Sequence, residues 1–129
     1  MMTIDERIVH SESRIFKAVF PNTTNNYNTL FGGTAMQLMD EAAFICATRF
    51  SRKKMVTVSS SQIDFKVPIP AGTIAELIAR VTRVGRTSCD VTVEVWTEEM
   101  YSYHREQAIV GLLTFVAIDD DRKPTLIID

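Results

Sequence analysis

The longest helical pattern in the chain opens at Phe31-Gly32-Gly33, runs to about Phe50, and is apolar nearly all the way round. A helix with apolar residues on most of its sides is buried on most of its sides rather than lying on a surface. Because an α-helix rises ~1.5 Å per residue, this segment of about eighteen residues would be roughly 27 Å long. The chain is therefore expected to fold around one long central helix.

Segments with the composition of β-strands lie on both sides of this helix. One ends at Pro21, before the helix, and four follow it with short connections between them. The predicted strands cover residues 12–20, 55–65, 74–84, 87–97 and 108–118. One helix and five strands with short connections predict an α+β fold, in which an antiparallel sheet wraps a single central helix.

Length and charge narrow the class of protein. The chain has 129 residues and a formal net charge of −2, which predicts one domain over residues 1–129 and no general attraction to nucleic acid or anionic membranes. The N-terminus lacks the apolar core of a signal peptide, and the longest apolar run is shorter than the ~20 residues that span a bilayer. We therefore expect a cytoplasmic protein without a membrane or nucleic-acid partner.

The cysteines and histidines form no pattern typical of metal binding or nucleophilic catalysis. Cys46 and Cys89 lie in apolar runs, so buried free thiols are expected rather than a disulfide. His10 and His104 belong to no Ser/His/Asp arrangement. The sequence predicts no metal site.

Asp40 is the residue most indicative of chemistry, because it places a carboxylate in the middle of the apolar helix. Such a carboxylate either pairs with a nearby Lys or Arg or lines a cavity. At the start of the helix, Gly32 and Gly33 have no side chains, so a ligand can approach the free backbone N–H groups. These groups and the helix dipole stabilise negative charge such as an oxyanion, although a Gly-Gly pair can also be only a tight turn.

The spacing of Gly33 and Asp40 has a consequence for assembly. The two residues are seven positions apart, so they share one helix face but lie two turns, or ~10.5 Å, apart along the axis. One carbonyl group cannot touch both within a single subunit. Two such helices packed antiparallel would place Gly33 of one subunit beside Asp40 of the other, which predicts a homodimer with two sites at its interface.

Two other segments carry candidate binding residues. Asn25 lies in an asparagine-rich loop before the helix, where its amide either positions a water or a carbonyl or only shapes the loop. The turn Arg83-Val84-Gly85-Arg86-Thr87-Ser88 combines two guanidinium groups with two hydroxyl groups. Such a turn either binds phosphate groups or is a solvated hairpin.

These segments together resemble a known family over roughly residues 13–118. The matching segments are Pro21-x-x-x-Asn25-x-x-Asn28-x-Leu30-Phe31-Gly32-Gly33, Met39-Asp40-Glu41-Ala42, Asp64-Phe65-x-x-Pro68-x-x-x-Gly72 and Arg83-Val84-Gly85-Arg86-Thr87-Ser88. They closely resemble the hotdog-fold acyl-CoA thioesterases, and among these the bacterial YciA-type enzymes and the brain-type acyl-CoA hydrolase group.

The resemblance implies the hotdog fold, a curved five-stranded antiparallel sheet around the central helix, with a homodimer as the minimal unit and often a trimer of dimers. It implies hydrolysis of acyl-CoA to a free carboxylic acid and CoA, with no cofactor. The family's site residues fall on catalytic Asp40, Asn25 and Gly33 and on substrate-binding Phe31, Gly32, Arg86, Thr87 and Ser88.

Two positions depart from the family pattern. Asn28 stands where many relatives have Gly, and Asn tolerates the left-handed conformation that the loop would need. Thr73 stands where relatives often carry Asp, which leaves one turn contact open.

The role of Asp40 has two versions, a general base toward water or a nucleophile that forms an anhydride. Two other functions remain as alternatives. One is a non-catalytic acyl-CoA sensor, and the other is a hotdog hydratase or dehydratase, which would need a catalytic histidine.

Overall fold

The computed structural model describes residues 1–129. Its helices and strands follow the predicted order, with one additional helix at the N-terminus. The elements are α1 (Ile4–Ser11), β1 (Ser13–Ala18), a short 3₁₀ turn (Pro21–Thr23), α2 (Gly32–Ser51), β2 (Lys54–Phe65), β3 (Thr73–Val84), β4 (Ser88–Glu99) and β5 (Arg105–Ile118).

The five strands form one sheet in the order β1-β3-β4-β5-β2, and every neighbouring pair is antiparallel. Helix α2 packs against all five strands. On β4, the alternation that predicted one apolar face places Cys89, Val91, Val93 and Val95 in the core, each at most 2% exposed. The predicted fold class, a central helix packed on a five-stranded antiparallel sheet, is confirmed.

Burial of α2 differs from the expectation. Its sheet-facing side is fully buried at residues such as Met39, Ala43 and Ala47, but Phe31 and Phe44 on other sides are 50% and 45% exposed. The prediction of burial on most sides fails at Phe44, while the other apolar side chains of α2 are buried or partly buried. A sheet covers only one side of a helix, so the opposite side of α2 is partly open to solvent.

Helix α1 was not predicted. It begins with a capping box, in which the Glu6 backbone N–H donates to Thr3 Oγ1 at 3.1 Å and the Thr3 N–H donates to Glu6 Oε1 at 3.2 Å. The helix lies at the C-terminal end of α2, where Arg7 donates to the Phe50 carbonyl and Arg49 donates to the His10 carbonyl. These bonds satisfy carbonyl groups at the ends of both helices.

Strand β2 forms one edge of the sheet and contains two irregularities. Thr57 pairs with Phe115 but Ser59 already pairs with Thr114, so Val58 is an extra residue. A second irregularity lies between Ser61 and Asp64. A bulge of this kind shifts which residues face the core, and this shift decides which β2 side chains lie beside α2.

Cys46 and Cys89 are buried free thiols, as predicted. Burial raises the pKa of Cys46 to about 11 and that of Cys89 to about 12. Both thiols are therefore protonated and unreactive at neutral pH. No helix in the structure combines the length and the apolar character that crossing a membrane requires.

Candidate active site

Asp40 lies on the exposed side of α2 and contacts a residue of the neighbouring edge strand. Thr57 Oγ1 donates a hydrogen bond of 2.8 Å to Asp40 Oδ1. No Lys or Arg side chain forms an ion pair with Asp40. Of the two interpretations of this carboxylate, the ion pair is wrong, and Asp40 instead faces an open cavity.

That cavity has a volume of about 290 Å³ and lies between α2 and the β2–β5 edge of the sheet. Its lining residues are Met36, Gln37, Asp40, Thr57, Ser60 and Leu113. Met36 and Leu113 are the apolar residues of this lining, and the other four are polar. The arrangement can hold a small polar group or a water against a carboxylate whose orientation is set by a hydroxyl donor.

The N-terminus of α2 is open, as the Gly-Gly pair indicated. The first backbone bond of the helix runs from the Ala35 N–H to the Phe31 carbonyl, so the N–H groups of Gly32 and Gly33 have no acceptor within the chain. A Cβ placed on either glycine would meet no atom within 4 Å. Two free N–H groups at a helix N-terminus are suited to bind an oxygen that carries negative charge.

Gly32 borders a second cavity, also of about 290 Å³. Most of its walls are apolar, and its lining residues are Thr29, Leu30, Gly32, Ala35, Phe65, Lys66, Val67, Pro68, Ile69 and Ile109. Neither Asp40 nor Thr57 lines this cavity, and neither Gly32 nor Gly33 lines the first. Within the single chain, Gly32 and Asp40 therefore border separate cavities, and Gly33 lines neither of them.

Asn25 shapes the loop that precedes α2. Its Oδ1 accepts hydrogen bonds from the Tyr27 N–H at 2.9 Å, the Thr29 N–H at 3.2 Å and the Thr29 hydroxyl at 3.1 Å. The loop-shaping role is thus present. All of these bonds use the carbonyl oxygen, so the Nδ2 donors bind no group of the protein and are free to meet a water or a carbonyl.

Both departures from the family pattern fit the structure. Asn28 has φ 64°, the left-handed conformation expected at this position. The Thr73 hydroxyl donates to the Pro70 carbonyl at 2.7 Å, so the turn keeps a side-chain contact there. The Leu30 N–H and the Ile69 carbonyl, 2.8 Å apart, join the loop to the segment before β3. The loop therefore presents Asn25 and the helix N-terminus on a fixed backbone.

The arginine-rich turn between β3 and β4 lies at the opposite end of α2 from Gly33. The Ile127 N–H donates to the Arg86 carbonyl at 2.9 Å, and the Ser51 hydroxyl at the end of α2 donates to the Ile127 carbonyl at 2.7 Å. Arg86 is exposed and its guanidinium has no partner. This turn is therefore far from the helix N-terminus of its own subunit.

Arg83 in the same turn is already engaged. Its guanidinium donates to Asp90 at 2.7 and 3.1 Å and to the Ser88 hydroxyl at 3.0 Å. The Arg83 guanidinium lowers the pKa of the Asp90 carboxyl below its usual range. Of the two arginines, only Arg86 is free to meet an anionic ligand, and the Ser88 hydroxyl is occupied within the chain.

Thr57 is the residue of this site that the sequence did not reveal. It lies in a Ser/Thr-rich strand without a recognisable motif. Simple alternation cannot predict that Thr57 and Ser60 both face α2, because the extra residue Val58 intervenes. Their partners on β5, Phe115 and Leu113, are both core residues.

The central helix begins with two glycines, carries a carboxylate and packs on an antiparallel sheet. This is the arrangement expected of a hotdog-fold thioesterase. The sequence model of the thioesterase superfamily matches residues 27–103. The chain belongs to the thioesterase superfamily.

Individual relatives agree with this assignment. The uncharacterized acyl-CoA thioester hydrolase YkhA of Bacillus subtilis is 44% identical over 115 residues, covering 88% of this chain and 67% of the relative. The acyl-CoA thioester hydrolase YciA of Salmonella typhimurium is 30% identical over 126 residues, covering 95% of both chains. The predicted resemblance to YciA-type enzymes is confirmed.

Solved structures are similar over most of the chain. The acyl-CoA hydrolase of Staphylococcus aureus, solved with butyryl coenzyme A and coenzyme A, has a TM-score of 0.88 and 35% identity, covering 92% of this chain and 73% of that one. An apo-hexameric acyl-CoA thioesterase has a TM-score of 0.89 and 33% identity, covering 92% and 76%. Further structures of the Staphylococcus aureus enzyme carry alanine in place of an aspartate, a threonine or an asparagine.

Proposed function

We propose that the protein is an acyl-CoA thioesterase, which hydrolyses the thioester of acyl-CoA to a free carboxylic acid and CoA. The observation that carries this proposal is the Asp40 carboxylate, held by Thr57 at 2.8 Å in a cavity and free of any ion pair, in a chain of the thioesterase superfamily. A thioester is already activated toward attack, so the reaction needs no cofactor.

Asp40 promotes attack on the thioester carbonyl in one of two ways. As a general base it takes a proton from a water that attacks the thioester carbonyl, and the thiolate of CoA leaves. As a nucleophile it attacks the carbonyl itself, and water then hydrolyses the mixed anhydride. Both routes need a carboxylate oxygen that is not neutralised by a cation. Asp40 forms no ion pair, so it meets this requirement.

The backbone at the start of α2 binds the oxygen of the thioester carbonyl. As the carbonyl carbon becomes tetrahedral, negative charge develops on this oxygen, and the Gly33 N–H donates to it with the support of the helix dipole. The Nδ2 group of Asn25 is a further donor for the carbonyl or the water. Phe31 and Gly32 flank the thioester at the mouth of the apolar cavity.

Each site is shared between two subunits, because Gly33 does not line the Asp40 cavity of its own chain and the adjacent Gly32 borders a different cavity. Apolar side chains on the uncovered side of α2 and along β2 support this pairing: Phe31, Phe44, Val58 and Phe65 are 45–56% exposed. Exposed apolar residues that form a surface of this kind are typical of an interface. We propose a homodimer as the minimal active unit, assembled further as a trimer of dimers, and a cytoplasmic location.

Antiparallel pairing also explains the distance between Arg86 and Gly33. The turn that carries Arg86 lies at the C-terminal end of α2, which antiparallel packing brings toward the N-terminal end of the partner helix. Arg86 then binds the CoA phosphates at the site where its own subunit supplies Asp40 and the partner supplies the helix N-terminus. Thr87 and the Ser88 backbone complete this contact.

The Staphylococcus aureus variants support the choice of residues. The positions at which that enzyme was changed to alanine have the same spacing along the chain as Asn25, Asp40 and Thr57. In the present structure, the hydroxyl of Thr57 and the carboxylate of Asp40 are in direct contact. These three side chains form the polar part of the proposed site.

Replacing Thr57 with valine is expected to lower kcat about tenfold with little change in KM, because the variant loses one hydrogen bond to a charged carboxylate but keeps the side-chain shape. Thr57→Ser keeps the donor and should retain most of the activity. Steady-state release of CoA thiol measures both variants. Equal activity of Thr57→Val and the wild type would show that the hydroxyl does not orient Asp40.

Replacing Arg86 with alanine is expected to raise KM for acyl-CoA roughly tenfold, because one charge-assisted contact to phosphate is lost. A pantetheine thioester lacks the nucleotide, so its hydrolysis should not change. Lys17→Ala removes a cation from the far edge strand β1 and serves as the matched control. A KM increase for the pantetheine thioester, or an equal effect of Lys17→Ala, would contradict this role of Arg86.

Two alternatives make different predictions. A hydratase needs a catalytic histidine, but His10 lies in α1, His104 lies in the β4–β5 connection, and neither lines the Asp40 cavity. A sensor would bind acyl-CoA without turnover. Thiol release measured with acyl-CoA esters from acetyl to stearoyl tests the proposal directly, and tight binding without release of CoA from any ester would replace it with the sensor.

A further inference from the structure

The inner face of strand β5 runs from one cavity to the other. Ile109 lines the cavity at the start of α2, and Leu113 lines the cavity of Asp40. Gly111 lies between these two residues and, since alternate residues of a strand face the same side, it points toward α2 as they do. Along the inner face of β5, a single residue therefore separates the two cavities, and this residue, Gly111, has no side chain.

The space over Gly111 is filled by side chains from two other elements. A Cβ built on Gly111 would collide with Cδ1 of Ile63 and would lie 2.8 Å from Cε of Met39. Ile63 packs against the core and is only partly buried, whereas Met39 is fully buried. Ile63 thus covers the inward position between Ile109 and Leu113 without lining either cavity, and the missing side chain of Gly111 makes room for it.

The backbone of β2 is distorted where it places Ile63. Ser61 pairs with Leu112 and Asp64 pairs with Val110, so Gln62 and Ile63 together face the single residue Gly111. Gln62 has φ 52°, a left-handed conformation that is unfavourable for a residue other than glycine. A bulge of this kind re-aims a side chain, and here it turns Ile63 toward the helix.

We propose that Ile63 sets the upper limit on the length of the acyl chain. This inference rests on the proposed thioesterase function. With the thioester carbonyl at the free N–H groups of α2, the acyl chain lies in the apolar cavity beside Ala35 and Ile109. Beyond Ile109, the next inward position of β5 is Gly111, which Ile63 covers, so an acyl chain longer than the cavity needs the space that Ile63 occupies.

The test compares kcat/KM across acyl-CoA esters of increasing length in the wild type and in Ile63→Ala. We expect the wild-type values to decline beyond a short or medium chain. In Ile63→Ala the space over Gly111 opens, so the ratio of dodecanoyl-CoA to butanoyl-CoA should rise at least ~10-fold, the lower end of what one methylene group is worth in a hydrophobic pocket. Ile63→Val, the milder truncation, should give a smaller shift in the same direction.

Ile78→Ala is the matched control, since it removes the same atoms from a buried isoleucine of β3, a strand that β4 separates from Gly111 and β5. It should leave the ratio unchanged even if it lowers stability. A wild-type profile without a decline, the same profile in Ile63→Ala, or an equal shift in Ile78→Ala would overturn the proposal.

Binding of a dodecyl-CoA thioether, which cannot be hydrolysed, separates this proposal from the proposed function. If the wild type hydrolyses no ester, the thioesterase proposal fails, but tighter binding of the thioether by Ile63→Ala than by the wild type still supports Ile63 as the length limit. Unchanged binding in Ile63→Ala overturns the role of Ile63 whether or not the protein is an enzyme.

Discussion

Asp40→Asn is expected to lower kcat for acyl-CoA hydrolysis by at least ~100-fold, the contribution typical of a positioned base or nucleophile. Asparagine keeps the shape of the side chain and can still accept the 2.8 Å hydrogen bond from Thr57. It cannot take a proton from water or form an anhydride, so the loss isolates the carboxylate chemistry. Release of CoA thiol under saturating substrate is the measurement.

Glu41→Gln is the matched control for this variant. Glu41 is the next residue of α2, is exposed, and forms no hydrogen bond or ion pair through its side chain. Neutralising it changes the net charge by the same amount and should change kcat less than twofold, in keeping with a surface substitution away from any partner. Comparable losses in both variants would mean that helix charge, rather than the Asp40 carboxylate, supports the reaction.

Binding measured on Asp40→Asn separates catalysis from recognition. The substitution leaves Arg86 and the free N–H groups of α2 in place, so the affinity of the variant for acyl-CoA should stay within a few-fold of the wild type. A variant that folds normally but has lost binding would show that Asp40 holds the substrate rather than reacts with it.

The architecture was predictable because the sequence patterns of its main elements are local and strong. The apolar run of α2 and the alternation of β4 each identify an element without reference to the rest of the chain. The buried set on β4, from Cys89 to Val95, follows this alternation residue by residue. Helix α1 was missed although Thr3 and Glu6 have the spacing of a capping box, because so short a segment shows little periodicity.

The site was predictable only in part. Asp40 and Gly33 share a helix, so the distance between them follows from helical geometry alone. The contact between Asp40 and Thr57 joins residues that are far apart in sequence, and it depends on the extra residue Val58, which inverts the alternation of β2. A bulge has no clear sequence signature, so the orientation of Thr57 required the three-dimensional structure.

Gly33→Pro is expected to lower kcat by about 100- to 1,000-fold, the usual cost of removing one donor that binds the oxyanion. The Gly33 N–H has no acceptor within the chain, so its loss breaks no hydrogen bond of the fold. Proline is tolerated in the first turn of a helix, where backbone N–H groups are unpaired in any case. An unchanged circular dichroism spectrum would show that the helix persists.

Mixing the two inactive variants tests whether each site takes residues from both subunits. In a dimer of one Asp40→Asn chain and one Gly33→Pro chain, one site has both substitutions, and the other has an intact Asp40 opposite an intact Gly33. Random exchange of equal amounts makes half of the dimers mixed, so about a quarter of the sites should become active in a two-fold symmetric assembly. If Gly33 and Asp40 of the same chain formed each site, no mixture would recover activity, because every site would keep one substitution. We therefore expect activity to recover after the two variants are refolded together. We expect no recovery when they are mixed without subunit exchange. Both results follow from the separation of Gly33 and Asp40 along α2.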